Sequence, residues 1–116
     1  YGLERAIKGG LGTVCLKVGK TLVAALVVVN AFGDVVNDET GQIIAGTRDL
    51  ETGKKFIDTF HMIQRGNIPQ GKALFNTTLG VVATNVALNR PQTNKLARMA
   101  HNGLVKTIRP VNSSFD

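Results

Sequence analysis

Asn76-Thr77-Thr78-Leu79-Gly80-Val81-Val82-Ala83-Thr84-Asn85 is the stretch from which the fold is read. Its centre is apolar and β-branched, too short for a helix, and closed at both ends by Asn and Thr, which predicts a buried strand over residues 77–85. A well-marked helix should follow. Asn89 is placed to cap it and Pro91 falls in its first turn, where a missing N–H costs nothing. Leu96, Ala100, Leu104 and Ile108 then recur every four residues with Met99 beside them, and Pro110 ends the run.

Upstream, residues 21–32 form a β-branched run without helix caps and are read as a second buried strand. Residues 13–18 alternate as a short strand, with Gly19-Lys20 as a tight connection and Lys8-Gly9-Gly10-Leu11-Gly12 as a Gly-rich turn. Gly33-Asp34 is turn chemistry, Asn37-Asp38-Glu39-Thr40-Gly41 a surface loop after Val35-Val36, and residues 42–45 a short hairpin strand. Residues 49–75 are more irregular. They predict a helix over 54–64, with Phe56, Ile57, Phe60 and Ile63 on one face, then an exposed segment over 65–72. Strands, a variable segment, one strand and one helix in that order predict an α+β layered fold.

The 116 residues suffice for one modest core, and 43% hydrophobic with 19% charged residues is a globular rather than a disordered composition. A single Cys15 excludes an internal disulfide and suits a reducing compartment, so a cytoplasmic location is expected. The longest apolar run, residues 22–29, is far below the ~20 residues that span a bilayer, so no membrane span is expected. The net charge of +6 raises the question of nucleic acid. The aromatic content of 5% supplies no stacking platform. Arg90, Lys95, Arg98, Lys106 and Arg109 lie on or beside the helix over residues 90–108, where a solvated face is the simpler reading, and no nucleic-acid partner is expected.

Gly19-Lys20-Thr21 suggests a phosphate loop, but that motif needs a Gly at position 14, where Val14 stands, and a helix afterwards. A strand-connecting turn accounts for it. His61 and His101 are too far apart to predict a metal site, no cofactor is implied, and Cys15 reads as a packed thiol. Asn76-Thr77 permits two readings. Thr becomes a strong nucleophile when it is the first residue of a chain, because its own α-amine, with a reference pKa of about 7.7–8.0, acts as the base. Making that terminus requires the Thr77 hydroxyl to attack the Asn76 carbonyl. The other reading is an ordinary turn and strand start.

The run from Asn76 to Asn85 closely resembles the self-cleavage and nucleophile strand of the L-aminopeptidase/D-esterase family, which includes β-peptidyl aminopeptidases and the nylon-oligomer hydrolase. The similarity continues through Lys95-Leu96-Ala97-Arg98-Met99-Ala100-His101-Asn102-Gly103-Leu104 and Ile108-Arg109-Pro110 to Asp116. Upstream it includes Lys8-Gly9-Gly10-Leu11-Gly12-Thr13 and Val27-Val28-Val29-Asn30-Ala31-Phe32-Gly33-Asp34. What this resemblance implies is specific. Thr77 matches the nucleophile, Asn76 the residue before the autoproteolytic cut, Asn30 an oxyanion-stabilising amide, and Asp116 the first of two polar residues that hold the nucleophile and its amine. The implied fold is an αββα four-layer sandwich, present here in part. Residues 1–76 would be the C-terminal part of the larger cleavage product and residues 77–116 the start of the smaller one.

The implied activity is an amide hydrolase, aminopeptidase-like, acting on a peptide or small amide, with cleaved subunits assembled as a homo-oligomer. An acyltransferase of the ornithine-acetyltransferase type and a non-catalytic basic binding module are the alternatives. Phe75 departs from the family's usual Gly before the cut. The ends at Tyr1 and Asp116 lead to the expectation of a fragment that is inactive alone, because further catalytic groups of the family would lie outside both.

Overall fold

The computed structural model describes residues 3–67 and 76–114. Among the described residues the architecture is α+β, with two α-helices and two antiparallel three-stranded sheets. The larger sheet has the order β1 (Leu11–Val18), β2 (Thr21–Asn30), β5 (Thr77–Thr84). The smaller has β4 (Ile43–Ala45), β3 (Asp34–Val36), β6 (Ile108–Arg109). Helix α1 is Thr59–Gln64 and α2 is Arg90–Thr107.

β1 and β2 form a hairpin closed by Gly19-Lys20, with Val18 opposite Thr21 and Gly19 at φ +61°, a conformation that glycine adopts without strain. β1 begins at Leu11, so the last two residues of the expected Gly-rich turn are strand. β5 stops where side chains replace the ladder. The Asn85 side chain accepts from Leu22 N at 2.8 Å and donates to Lys20 O at 2.9 Å, and the Thr84 hydroxyl donates to Leu22 O at 2.8 Å. The loop after β3 also behaves as expected, its Asn37 side chain accepting from Glu39 N and Thr40 N at 2.9 Å each.

Helix α2 starts as its sequence dictates. Asn89 accepts from Gln92 N and the Gln92 side chain accepts from Asn89 N, a reciprocal capping box, with Pro91 in the first turn. Leu96, Ala100 and Leu104 are half-buried and Ile108 is buried, whereas Met99 is exposed. The helix ends at Thr107, before the expected stop, because Ile108 and Arg109 extend and pair with Val35 and Asp34. The helix expected over 54–64 is a single short one. Asp58 caps it by accepting from His61 N, and the preceding residues are extended, Ile57 N donating to Thr47 O at 2.8 Å and Phe56 bridging Arg48. The segment expected over 65–72 is described only as far as Asn67, and Phe75 lies outside the described residues.

Burial is where sequence and structure part. β2 and β5 were expected to be buried, yet only one face of the larger sheet is half-covered: Val23, Ala25, Val27 and Val29 with Thr78, Val82 and Thr84. The opposite face carries Leu11, Leu22, Leu26, Val28, Leu79 and Val81, all exposed. Cys15 lies on that face, exposed and free rather than packed. α2 packs against β3, β5 and β6, and among the described residues the buried hydrophobic side chains are Val36 and Ile108. An apolar strand is covered only if another layer lies on it, which local sequence does not state.

Candidate active site

Asn30 is the last residue of β2 and Thr77 the first of β5, and the antiparallel register puts them directly opposite each other. Opposed residues share a face, with Cβ atoms about 4.5–5.5 Å apart. Two residues that are 47 positions apart in sequence are thereby neighbours at one end of the sheet. Both are exposed, and Asn76 is half-buried. The Thr77 hydroxyl donates to the Asn76 carbonyl oxygen at 2.6 Å. It therefore lies against the very carbonyl whose carbon it would have to attack, and polarises it. Asp116 lies outside the described residues.

An open cleft of about 690 Å³ meets this end of the sheet, reaching both Asn30 and Asn76. Its walls combine apolar side chains, among them Val27, Val29 and Phe32, with the backbone of Gly9, Gly10 and Gly12. Gly10 has a conformational reason to be glycine: its φ is +111°, and a Cβ there would strike the Val29 carbonyl. Val29 N in turn donates to Gly10 O at 2.6 Å, which seats the Gly-rich stretch against the end of β2.

The link from Asn30 into β3 is held tightly. A Cβ on Gly33 would strike the backbone of Pro110, so the link between β2 and β3 passes close to the end of β6 only because residue 33 has no side chain. Asp34, 1% exposed, accepts from Thr59 N at 2.7 Å, from the Thr59 hydroxyl at 2.9 Å and from Thr47 N at 3.2 Å. Burial pushes its carboxyl above the usual 3.8, opposed by the hydrogen bonds from Thr59 and Thr47. The sequence reading placed Asp34 in a turn and missed this network. A lone carboxylate ahead of Val35-Val36, with no neighbouring base in sequence, was the available signal.

The remaining polar candidates lie elsewhere. Asp58 accepts from Arg109 at 3.2 Å and pairs with His61 at 2.9 Å, so Arg109 is half-buried in an ion pair and does not belong to a solvated face. Burial pulls the Asp58 carboxyl up, but hydrogen bonds from the His61 side chain and backbone, with the charges of His61 and Arg109, outweigh it and leave it below 3.8. His101 pairs with Asn112 on the surface at 3.0 Å. Among the described residues no group of three metal-ligating side chains converges, and no helix is long and apolar enough to cross a membrane.

Comparison with known proteins identifies relatives of the chain. The chain is 38% identical over 122 residues to an uncharacterized aminopeptidase of Mycobacterium leprae, covering 95% of this chain and 31% of that protein. It is 36% identical over 119 residues to an uncharacterized aminopeptidase of Mycobacterium tuberculosis, covering 96% and 34%. It is 27% identical over 109 residues to a 6-aminohexanoate-oligomer endohydrolase of Agromyces, covering 92% and 30%. The chain thus spans about a third of the length of the curated relatives it matches. The sequence model of Peptidase family S58 matches residues 3–116, and the chain belongs to that family.

Proposed function

We propose that this chain carries the self-cleavage point of an N-terminal-nucleophile amide hydrolase, aminopeptidase-like in its chemistry. The observation that supports the reading most is the pairing of Thr77 with Asn30 across β5 and β2, with the Thr77 hydroxyl on the Asn76 carbonyl. In the first step Thr77 Oγ1 bonds to the Asn76 carbonyl carbon, the C–N bond breaks, and the hydroxyl proton passes to the released amine. Water then hydrolyses the ester, restoring the hydroxyl and leaving a carboxylate on Asn76.

The same oxygen next attacks a peptide or small amide. The α-amine of Thr77 takes the hydroxyl proton and returns it to the leaving amine. The Asn30 side-chain amide donates to the oxyanion, an interaction present only as charge develops, and Asp116 holds the nucleophile and its amine. Residues 1–76 and 77–116 then belong to two products that remain together. The exposed apolar face of the larger sheet supports the proposal that the fold is an αββα sandwich, since such a face packs on a second sheet. The relatives named as aminopeptidases and as an oligomer endohydrolase support an amide substrate. A cytoplasmic homo-oligomer of cleaved subunits completes the proposal.

In the intact natural protein, Thr77→Ala abolishes both self-cleavage and amide hydrolysis, whereas Thr77→Ser retains both. Added amino-acid acceptors leave product formation hydrolytic. Faster transfer to an acceptor than to water would contradict the assignment.

A further inference from the structure

Cutting the Asn76–Thr77 bond creates two new charged groups, an amine on Thr77 and a carboxylate on Asn76. The amine stays with the nucleophile, and the carboxylate needs a place of its own. Strand alternation separates the two. Thr77 shares the open face of the larger sheet with Asn30, while the 690 Å³ cleft lies against the other face, where Gly12, Val27 and Val29 stand. Asn76 borders that cleft and Thr77 does not. The cleft is basic: among the described residues that line it, Arg5 and Lys8 carry the only charged side chains, and none is a carboxylate.

Both cations belong to a stretch that is fixed in place. Arg48 N donates to Arg5 O at 3.0 Å, the Arg48 guanidinium to Ala6 O at 2.8 Å, and Val29 N to Gly10 O at 2.6 Å. Gly10 and Thr78 thereby flank Val29 on its two sides, two strand spacings or about 10 Å apart. β1 and β5 run in the same direction, so Lys8 and Asn76, each two residues ahead of these, lie at the same end of the sheet. A lysine side chain and a chain end released from its bond can close that distance. Arg5 is also within reach of the Asp49 charge, which leaves Lys8 to answer a new anion. We infer that this cleft is the dock for the cut end: the new α-carboxylate of Asn76 leaves Thr77 and is bound there by Lys8, with Arg5 beside it. The inference rests on the reading of Thr77 as the self-cleavage nucleophile. Its consequence is a one-way cut. A carboxylate paired with a cation stays ionised, and an amine does not attack an ionised carboxylate, so the bond does not re-form and the Thr77 face is clear for substrate.

The experiment uses the intact natural protein and follows the fate of residue 76. A carboxypeptidase that releases asparagine is added to the cleaved protein, and loss of Asn76 is timed by mass spectrometry. A docked end is shielded. In Lys8→Gln it should be trimmed at least ~5-fold faster, as expected for the loss of one ion pair. Lys8→Arg, which keeps the charge, should match the wild type. Rising salt should speed trimming of the wild type relative to a free peptide of the same C-terminal sequence, because screening weakens the pair. Equal trimming of wild type and Lys8→Gln, or wild-type trimming that does not respond to salt, overturns the dock and leaves self-cleavage standing. A wild-type chain that is never cut overturns the nucleophile reading and the dock with it.

Discussion

Asn30 contributes to catalysis in this account only as its amide meets an oxyanion, and that makes its removal selective. In the intact natural protein Asn30→Ala is expected to lower kcat by about 10²–10³-fold with little change in KM, the pattern of a transition-state donor. A KM effect of that size with kcat unchanged would argue for substrate anchoring instead. Asp34 works through the fold. Asp34→Ala strips the acceptor from Thr59 N, the Thr59 hydroxyl and Thr47 N, and should cost about 1–3 kcal/mol in denaturant unfolding. Because burial holds the Asp34 carboxyl above its ordinary value, its protonated form favours the native state. That contribution is full below pH 3.8 and is lost as pH rises through the raised value, so Asp34→Asn should remove a stability gain on acidification. Of these residues, Asn30 and Thr77 were named as candidates through the motifs that carry them, and the register sets them opposite each other. Asp34 was not, because its partners come from residues 47 and 59, separated from it by loops whose path local sequence does not specify.

At the scale of elements, α2 is the most readable part of the chain because its signals are local: a cap, a proline in the first turn and a four-residue apolar spacing. Asn89→Ala removes the side-chain acceptor of Gln92 N, leaving the backbone half of the capping box, and should cost about 0.5–2 kcal/mol, seen as reduced helical circular dichroism and a lower unfolding midpoint. The start of α1 was misplaced because Phe56 and Ile57 mimic a helical stripe, while extended pairing with residues 48 and 47 prevailed. Its cap, Asp58, is held below its ordinary carboxyl value, so the native state binds protons less readily there. That stabilisation is present above pH 3.8 and is lost as pH falls through the depressed value. Asp58→Asn should flatten the acid limb of the stability profile and release Arg109.

Across the whole molecule, the decisive feature is the open face of the larger sheet, where Leu11 is 73% and Leu79 is 65% exposed. Such an apolar surface calls for a covering layer. The 116-residue chain by itself is therefore expected to self-associate with rising concentration in sedimentation and to bind a hydrophobic dye. Leu26→Thr with Val81→Thr, neighbours on that face, should reduce both without unpairing the strands. Sequence foresaw the strands but not the bare face, since alternation and β-branching report that a strand forms, and burial depends on what is stacked against it. The central claim concerns the bond between Asn76 and Thr77, and mass spectrometry of the intact natural protein tests it most directly. Two polypeptides are expected, one ending at Asn76 and one beginning with a free Thr77 amine, their masses summing to the uncut chain plus one water, with a single uncut mass in Thr77→Ala. An uncut wild-type chain that hydrolyses amides at full rate would contradict it.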